Sequence, residues 1–204
     1  RVAIGKYIQE RINVSYDPND EILVSVGGSE AIDAAIRALV APGDEVLIPQ
    51  PSFVCYDPIT RLAGGVPVII STTAENEFRL TAEELKAHIT PKTKVLILPF
   101  PSNPTGAIMH RQDLCQLAEV LEGTDIMIIS DEIYSELTYG GERHVSIASI
   151  GNMRERTVIV NGFSKTYSMT GWRLGFACGP APILSQMTKI HQFAIMSAPT
   201  TAQY

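Results

Sequence analysis

Apolar residues along this chain gather in short runs rich in valine and isoleucine rather than alternating with polar ones. Such runs occupy 22–26, 45–49, 66–70, 94–98, 126–130 and 157–161, with a seventh candidate at 173–178. Runs of this length and composition read as strands buried on both faces. Between several of them the period changes to that of a helix. After Gly27-Gly28-Ser29, residues Ile32, Ala35, Ile36, Leu39 and Val40 fall on one face, Asp33 and Arg37 stand at i,i+4 on another, and Pro42-Gly43-Asp44 ends the pattern. A second helix is predicted from Thr81-Ala82-Glu83-Glu84, a capping box, with Leu80 and Leu85 as a hydrophobic staple and Pro91 beyond its far end. A third runs from about Gln112 to Glu122, with Leu114, Leu117, Ala118 and Leu121 inward and Gly123 as its stop. Strands alternating with helices predict an α/β fold of three layers, α/β/α, around a mostly parallel sheet of about seven strands. No repeat, low-complexity tract or linker divides the 204 residues, so one large domain is expected.

Composition mainly excludes. With 45% hydrophobic and 19% charged residues the chain reads as an ordinary soluble globular protein. A net charge of −6 without a lysine or arginine block gives no electrostatic basis for binding nucleic acid or an anionic membrane. Apolar runs such as 95–98 and 126–129 fall far short of the roughly 20 residues that span a bilayer, and no leader pattern opens the chain. A cytoplasmic protein acting on small molecules is the expectation. Cys55, Cys115 and Cys178 are odd in number and lack C-x-x-C spacing, which points to buried thiols rather than a disulfide framework or a metal site. The sequence opens at Arg1 without a methionine and closes at Tyr204 inside a stretch that reads as structured, so a piece of a longer protein is expected.

Four segments carry candidate chemistry. Val26-Gly27-Gly28-Ser29-Glu30 runs from a strand straight into a helix, where free N–H groups and the positive end of the helix dipole converge. Gly28, Ser29 and Glu30 form either a phosphate cradle or simple punctuation before the helix. Pro101-Ser102-Asn103-Pro104-Thr105-Gly106 is a rigid loop after another strand, structural in itself, with Asn103 its only long hydrogen-bonding side chain. Ser130-Asp131-Glu132-Ile133-Tyr134 ends a strand in two carboxylates. Asp131 there either meets a ligand beyond the strand's carboxyl end or caps the following turn. In Gly162-Phe163-Ser164-Lys165 the lysine again follows a strand, with Arg173 eight residues on, beside the sole tryptophan. A strand-end lysine is usually just solvated; the company it keeps here raises a nucleophile as the alternative.

Gly-Gly-Ser-Glu-Ala, Pro-Ser-Asn-Pro-Thr-Gly, Ser-Asp-Glu-Ile-Tyr and Ser-Lys-x-x-x-x-x-Gly-x-Arg-x-Gly stand in this order and spacing in the class I/II aminotransferases of fold type I, which this chain resembles over nearly its whole length. Ser-Asp-Glu-Ile-Tyr-Ser-Glu-Leu-Thr-Tyr and Ser-Met-Thr-Gly-Trp-Arg resemble most the bacterial branch that includes aromatic and N-acetyl-diaminopimelate aminotransferases. The resemblance implies pyridoxal 5′-phosphate as cofactor, carried by Lys165 as a Schiff base, with Lys165 also moving a proton during transfer. It implies Asp131 as partner of the pyridine nitrogen, Tyr134 and Asn103 as partners of the ring oxygen, and Arg173 with Gly28, Ser29 and Glu30 as the phosphate anchor. Phe53 aligns with the aromatic that stacks on the cofactor, the other reading being a core phenylalanine; Tyr56 is a second candidate for that wall. One position departs: many relatives carry serine three residues before the lysine, where this chain has Gly162, which leaves Ser164 or the backbone to serve the phosphate. The resemblance further implies a large cofactor-binding domain, a homodimer in the full-length protein, and amino-acid and 2-oxo-acid substrates. A tyrosine reaching the partner subunit and an arginine gripping the substrate carboxylate would then lie outside this sequence. Rivals on the same fold are a carbon–sulfur β-lyase and the cofactor-binding sensor domain of a transcription regulator.

Overall fold

A computed structural model describes all residues, 1–204. All seven apolar runs form strands of one sheet: β1 (Ile22–Ser25), β2 (Glu45–Gln50), β3 (Val66–Ser71), β4 (Thr93–Leu98), β5 (Met127–Asp131), β6 (Thr157–Gly162) and β7 (Gly175–Cys178), in the order β1-β7-β6-β5-β4-β2-β3. Every pairing is parallel except those of β7, which runs against both β1 and β6. The last run is shorter than its apolar pattern because Arg173 takes a left-handed conformation, φ 53°, which no extended strand admits. At the opposite edge β3 is partly exposed and tolerates Pro67, whose missing N–H faces no further strand.

Six helices cover the sheet: α1 (Val2–Ile12), α2 (Gly28–Leu39), α3 (Tyr56–Leu62), α4 (Ala82–His88), α5 (Arg111–Leu121) and α6 (Ala181–Ala194). One face packs against α2, α3 and α6, through Ala31, Ile32, Ala35, Ile36, Tyr56, Leu184 and Met187 set on Val46, Ile48, Val95, Ile97, Ile129, Val158 and Val160. The other carries α4 and α5 over Leu47, Leu96 and Ile128, and α1 over Ile22, Ile159 and Phe176. Alternate residues of each strand thus feed opposite layers, which is why the runs are continuously apolar.

The three helices expected from sequence form. In α4 the Thr81 hydroxyl accepts the Glu84 N–H, Glu84 accepts the Thr81 N–H, and Leu80 and Leu85 are both buried. Asp33 and Arg37 pair at 2.9 Å on α2. After α5, Gly123 takes φ 73°, the conformation a helix stop requires. Helices α1, α3 and α6 add to the expectation. No helix is long and apolar enough to cross a membrane.

This topology fixes where chemistry can occur. Because β1, β2, β4, β5 and β6 run the same way and β7 runs back, the carboxyl ends of five strands and the start of β7 meet along one edge of the sheet. Ligands of open α/β sheets bind at such an edge.

Candidate active site

The candidate residues lie at or close to strand ends on that edge, and one pocket gathers all of them except Glu30. Gly28 and Ser29 reach it from β1, Phe53 and Tyr56 from β2, Asn103 from β4, Asp131 and Tyr134 from β5, Ser164 and Lys165 from β6, and Arg173 from the approach to β7. Residues 27 to 173 in sequence become neighbours because each loop leaves the sheet at the same level.

Asp131 sits at the floor of the pocket, 7% exposed. Its Oδ2 accepts the Tyr56 hydroxyl at 2.8 Å and its Oδ1 the Ile133 N–H at 3.2 Å. Burial raises its pKa above the usual carboxylate range; the two hydrogen bonds pull the other way without cancelling it, and the neighbouring Glu132 adds to the rise. Burial and the Asp131 charge likewise lift the Tyr56 phenol far above its ordinary value, so it stays a donor. Tyr56 is thus fixed as the partner of Asp131. Its ring is buried and edge-on to Phe53, with centroids 6.0 Å apart and planes at 83°, and its hydroxyl orients the carboxylate. The link spans 75 residues, so no local pattern announces it. Phe53 is 37% exposed and lines the pocket, which removes the reading as a core phenylalanine.

Lys165 is exposed toward the pocket, its Nζ 5.6 Å from the centroid of the Tyr134 ring. Arg173 is held by two carbonyls: Nη1 donates to Thr170 at 3.0 Å and Nη2 to Val26 at 3.3 Å. That places its guanidinium against Gly27 (φ 80°), where a Cβ would stand 2.7 Å from Nη2. The first N–H groups of α2, at Gly28, Ser29 and Glu30, have no acceptor within the helix. A glycine-floored hollow with free N–H donors and an arginine fits a phosphate.

Glu30 can serve the cradle through its backbone only. Its carboxylate turns away from the pocket: Oε2 accepts the Val26 N–H at 3.1 Å and Oε1 meets His191 Nδ1 at 3.1 Å. An acid at the third position of a helix caps the backbone before it, as in a capping box, and a carboxylate would in any case repel an anion. Only the Glu30 N–H remains for the cradle.

Gly162 has a physical reason too. A Cβ there would lie 2.9 Å from Gly175 Cα and 3.1 Å from the Leu174 carbonyl, and a Cβ on Gly175 would lie 2.5 Å from the Gly27 carbonyl carbon and 2.7 Å from Gly28 N. Three stretches of bare backbone are stacked here, bringing the strand before Lys165, the strand after Arg173 and the start of α2 into contact. Ser164, buried at the pocket wall, remains the nearby hydroxyl. Substituting Gly175→Ala is expected to cost about 1–3 kcal/mol, because the obstacle is backbone and cannot rotate aside. Thermal unfolding should show the drop, and phosphate-bearing ligands should bind more weakly. A wild-type melting temperature in this variant would contradict the packing.

An open α/β sheet with a lysine amine, a buried carboxylate and an anion cradle around one strand-end pocket defines a protein suited to a small phosphorylated ligand held beside an amine. Comparison with known proteins gives this class its family. The chain belongs to the class I and II aminotransferases, whose family model matches residues 1–204. It is 46% identical over 204 residues to an aspartate aminotransferase of Pyrococcus abyssi and 43% identical over 203 residues to the "Probable N-acetyl-LL-diaminopimelate aminotransferase" of Bacillus subtilis. Each alignment takes in the whole chain and 52% and 51% of those proteins respectively. The crystal structure of an aromatic aminotransferase from Pyrococcus horikoshii superposes with a TM-score of 0.97 at 44% identity, covering all of this chain and 54% of that one. The chain thus spans about half the length of the relatives it matches. Members of the family depend on pyridoxal 5′-phosphate.

Proposed function

We propose that this chain is the large, cofactor-binding domain of a pyridoxal-phosphate-dependent aminotransferase that moves an amino group between an amino acid and a 2-oxo acid. The observation that carries the reading is the convergence of Lys165, Asp131, Tyr134, Asn103, Phe53 and Arg173 on one pocket from five different strand ends. When bound, pyridoxal phosphate supplies an electron sink for negative charge developing at the substrate Cα. The residues divide the remaining work. Arg173 and the N–H groups at the start of α2 hold the phosphate, with a planar fork that lysine lacks. Asp131 would accept a hydrogen bond from the pyridine nitrogen, and Tyr56 keeps that carboxylate aimed. Phe53 covers one face of the ring, while Asn103 and Tyr134 hold its oxygen. Lys165 would hold the cofactor through its amine and, when that amine is free, would carry a proton at the substrate Cα.

Aspartate, aromatic amino acids and N-acylated diaminopimelate are the proposed donor classes, the enzyme being a cytoplasmic homodimer. The test uses the full-length protein supplied with pyridoxal phosphate, 2-oxoglutarate and one donor from each class. Glutamate should form mole for mole with the donor's own oxo acid. Ammonia and pyruvate from cystathionine, without amino transfer, would instead make it a β-lyase and sink the proposal.

A further inference from the structure

Asp131 and Glu132 are consecutive, yet they serve opposite sides of the sheet. Asp131 faces the layer of α2 and α3, where Tyr56 meets it; Glu132 points into the layer of α1 and α5 and is 1% exposed. A buried carboxylate needs partners. Glu132 Oε1 accepts the hydroxyls of Ser130 at 2.8 Å and Ser146 at 2.6 Å. His144 Nε2 lies 2.9 Å from Oε2, a contact that is an ion pair when the imidazole is protonated, and its side chain is 11% exposed. None of these groups touches the pocket that holds Lys165.

The surroundings leave His144 as the side chain able to carry a positive charge that contacts the Glu132 carboxylate. Arg11 is paired with Glu136 at 2.9 Å, and Glu136 also accepts the Tyr7 hydroxyl at 2.7 Å. Arg143 borders the same depression but is exposed, so solvent screens it. Tyr16 and Cys178, which feel the Glu132 charge, are held neutral by burial. On the other side of the strand, Asp131 shares its environment with Tyr56, with Cys55, whose thiol burial pushes up to about 12, and with Tyr134 and Lys165 of the pocket.

We propose that Glu132 and His144 form a positioning pair that sets the electrostatic balance at Asp131 from behind the sheet, Glu132 opposing the negative charge on Asp131 and His144 offsetting Glu132. The separation is a single residue along the backbone, through protein rather than water, where charge interactions are screened least. The pair would decide how readily Asp131 serves as the anion the pocket requires. In its importance for catalysis the inference rests on the proposed function, but the effect on Asp131 does not need the cofactor.

The test follows the Asp131 carboxyl by ¹³C NMR in full-length, aspartate-labelled protein without pyridoxal phosphate, the resonance being assigned with Asp131→Asn. Glu132→Gln should move its titration midpoint down and His144→Leu should move it up. His144→Gln, which keeps a side-chain N–H, should recover part of the second shift. In the double variant Glu132→Gln/His144→Leu the effect of His144 should vanish. A purely structural role would move both single variants in the same direction or leave the midpoint in place, and either result overturns the proposal. Should His144→Leu not fold, Ser146→Ala, which strips one hydroxyl from Glu132, must give a smaller upward shift; no shift overturns it equally. Cofactor uptake read on the same samples separates the two ideas. Shifted midpoints in a protein that takes up no pyridoxal phosphate would refute the enzyme assignment alone.

Discussion

Replacing Lys165 by alanine is expected to abolish transamination, lowering turnover by about four orders of magnitude or more, the scale of losing a group that is both nucleophile and general base. The same change should leave the fold intact. Lys165 is exposed, and the contact its amine makes is with the Tyr134 ring, 5.6 Å from the centroid. A melting temperature within a degree or two of wild type is the control. Borohydride treatment of the cofactor-loaded protein, followed by peptide mass mapping, should place the cofactor mass on the peptide containing residue 165 in wild type and nowhere in the variant. Retained turnover, or label on Lys189 instead, would remove Lys165 from the centre of the mechanism. Arginine at 165 is a sharper control still, since it keeps the positive charge and loses the nucleophile.

Asp131→Asn is expected to act in opposite directions on function and stability. Turnover should fall by about a hundredfold or more, as when one preorganised electrostatic group is lost. Stability of the cofactor-free protein should rise. Burial gives Asp131 a higher pKa in the folded chain than in the unfolded one, so the folded state holds this proton more tightly. That contribution is complete below the unfolded-state value and is lost as pH rises through the folded-state value. Asparagine has no such proton to lose and still accepts the Tyr56 hydroxyl. The melting temperature of the variant should therefore match wild type at acid pH and exceed it increasingly as pH climbs through the folded-state value. An advantage that shrinks as pH rises would show that burial does not dominate at this carboxyl.

How much of this was legible in sequence depended on whether a residue's job is local. The central strands were, because burial on both faces leaves no polar position to disguise them, and so were the cap of α4 and the Gly123 stop of α5. Helix α1 was not, because only Ile4 and Ile8 are buried along it. Helix α3 is seven residues long and carries Pro58 in its first turn. The Pro182 of α6 reads as a breaker until its place in the first turn is known, where proline is tolerated. Among site residues, the approach of Lys165, Asp131 and Arg173 to one pocket followed from their positions at strand ends. The direction of the Glu30 side chain did not, since a glutamate after Gly-Gly-Ser serves equally to cap or to face a ligand. Tyr56 on Asp131 and His144 on Glu132 are tertiary contacts made after the chain has folded back on itself, and no spacing encodes them.

Strand β7, the only one that runs backwards, has a consequence for motion. Lys165 and Arg173 sit on the two arms of a single hairpin, joined where the Phe163 N–H meets the Leu174 carbonyl and Gly162 faces Gly175. The backbone interval between residues 165 and 173 is thus set inside one supersecondary unit and not across a movable interface. Any closing movement elsewhere in a longer protein can shut out water or tighten around a substrate while that interval stays constant. On the proposed function, seating the cofactor would then be mechanically separate from adapting to the molecule acted on, and mutations that retune the second need not disturb the first.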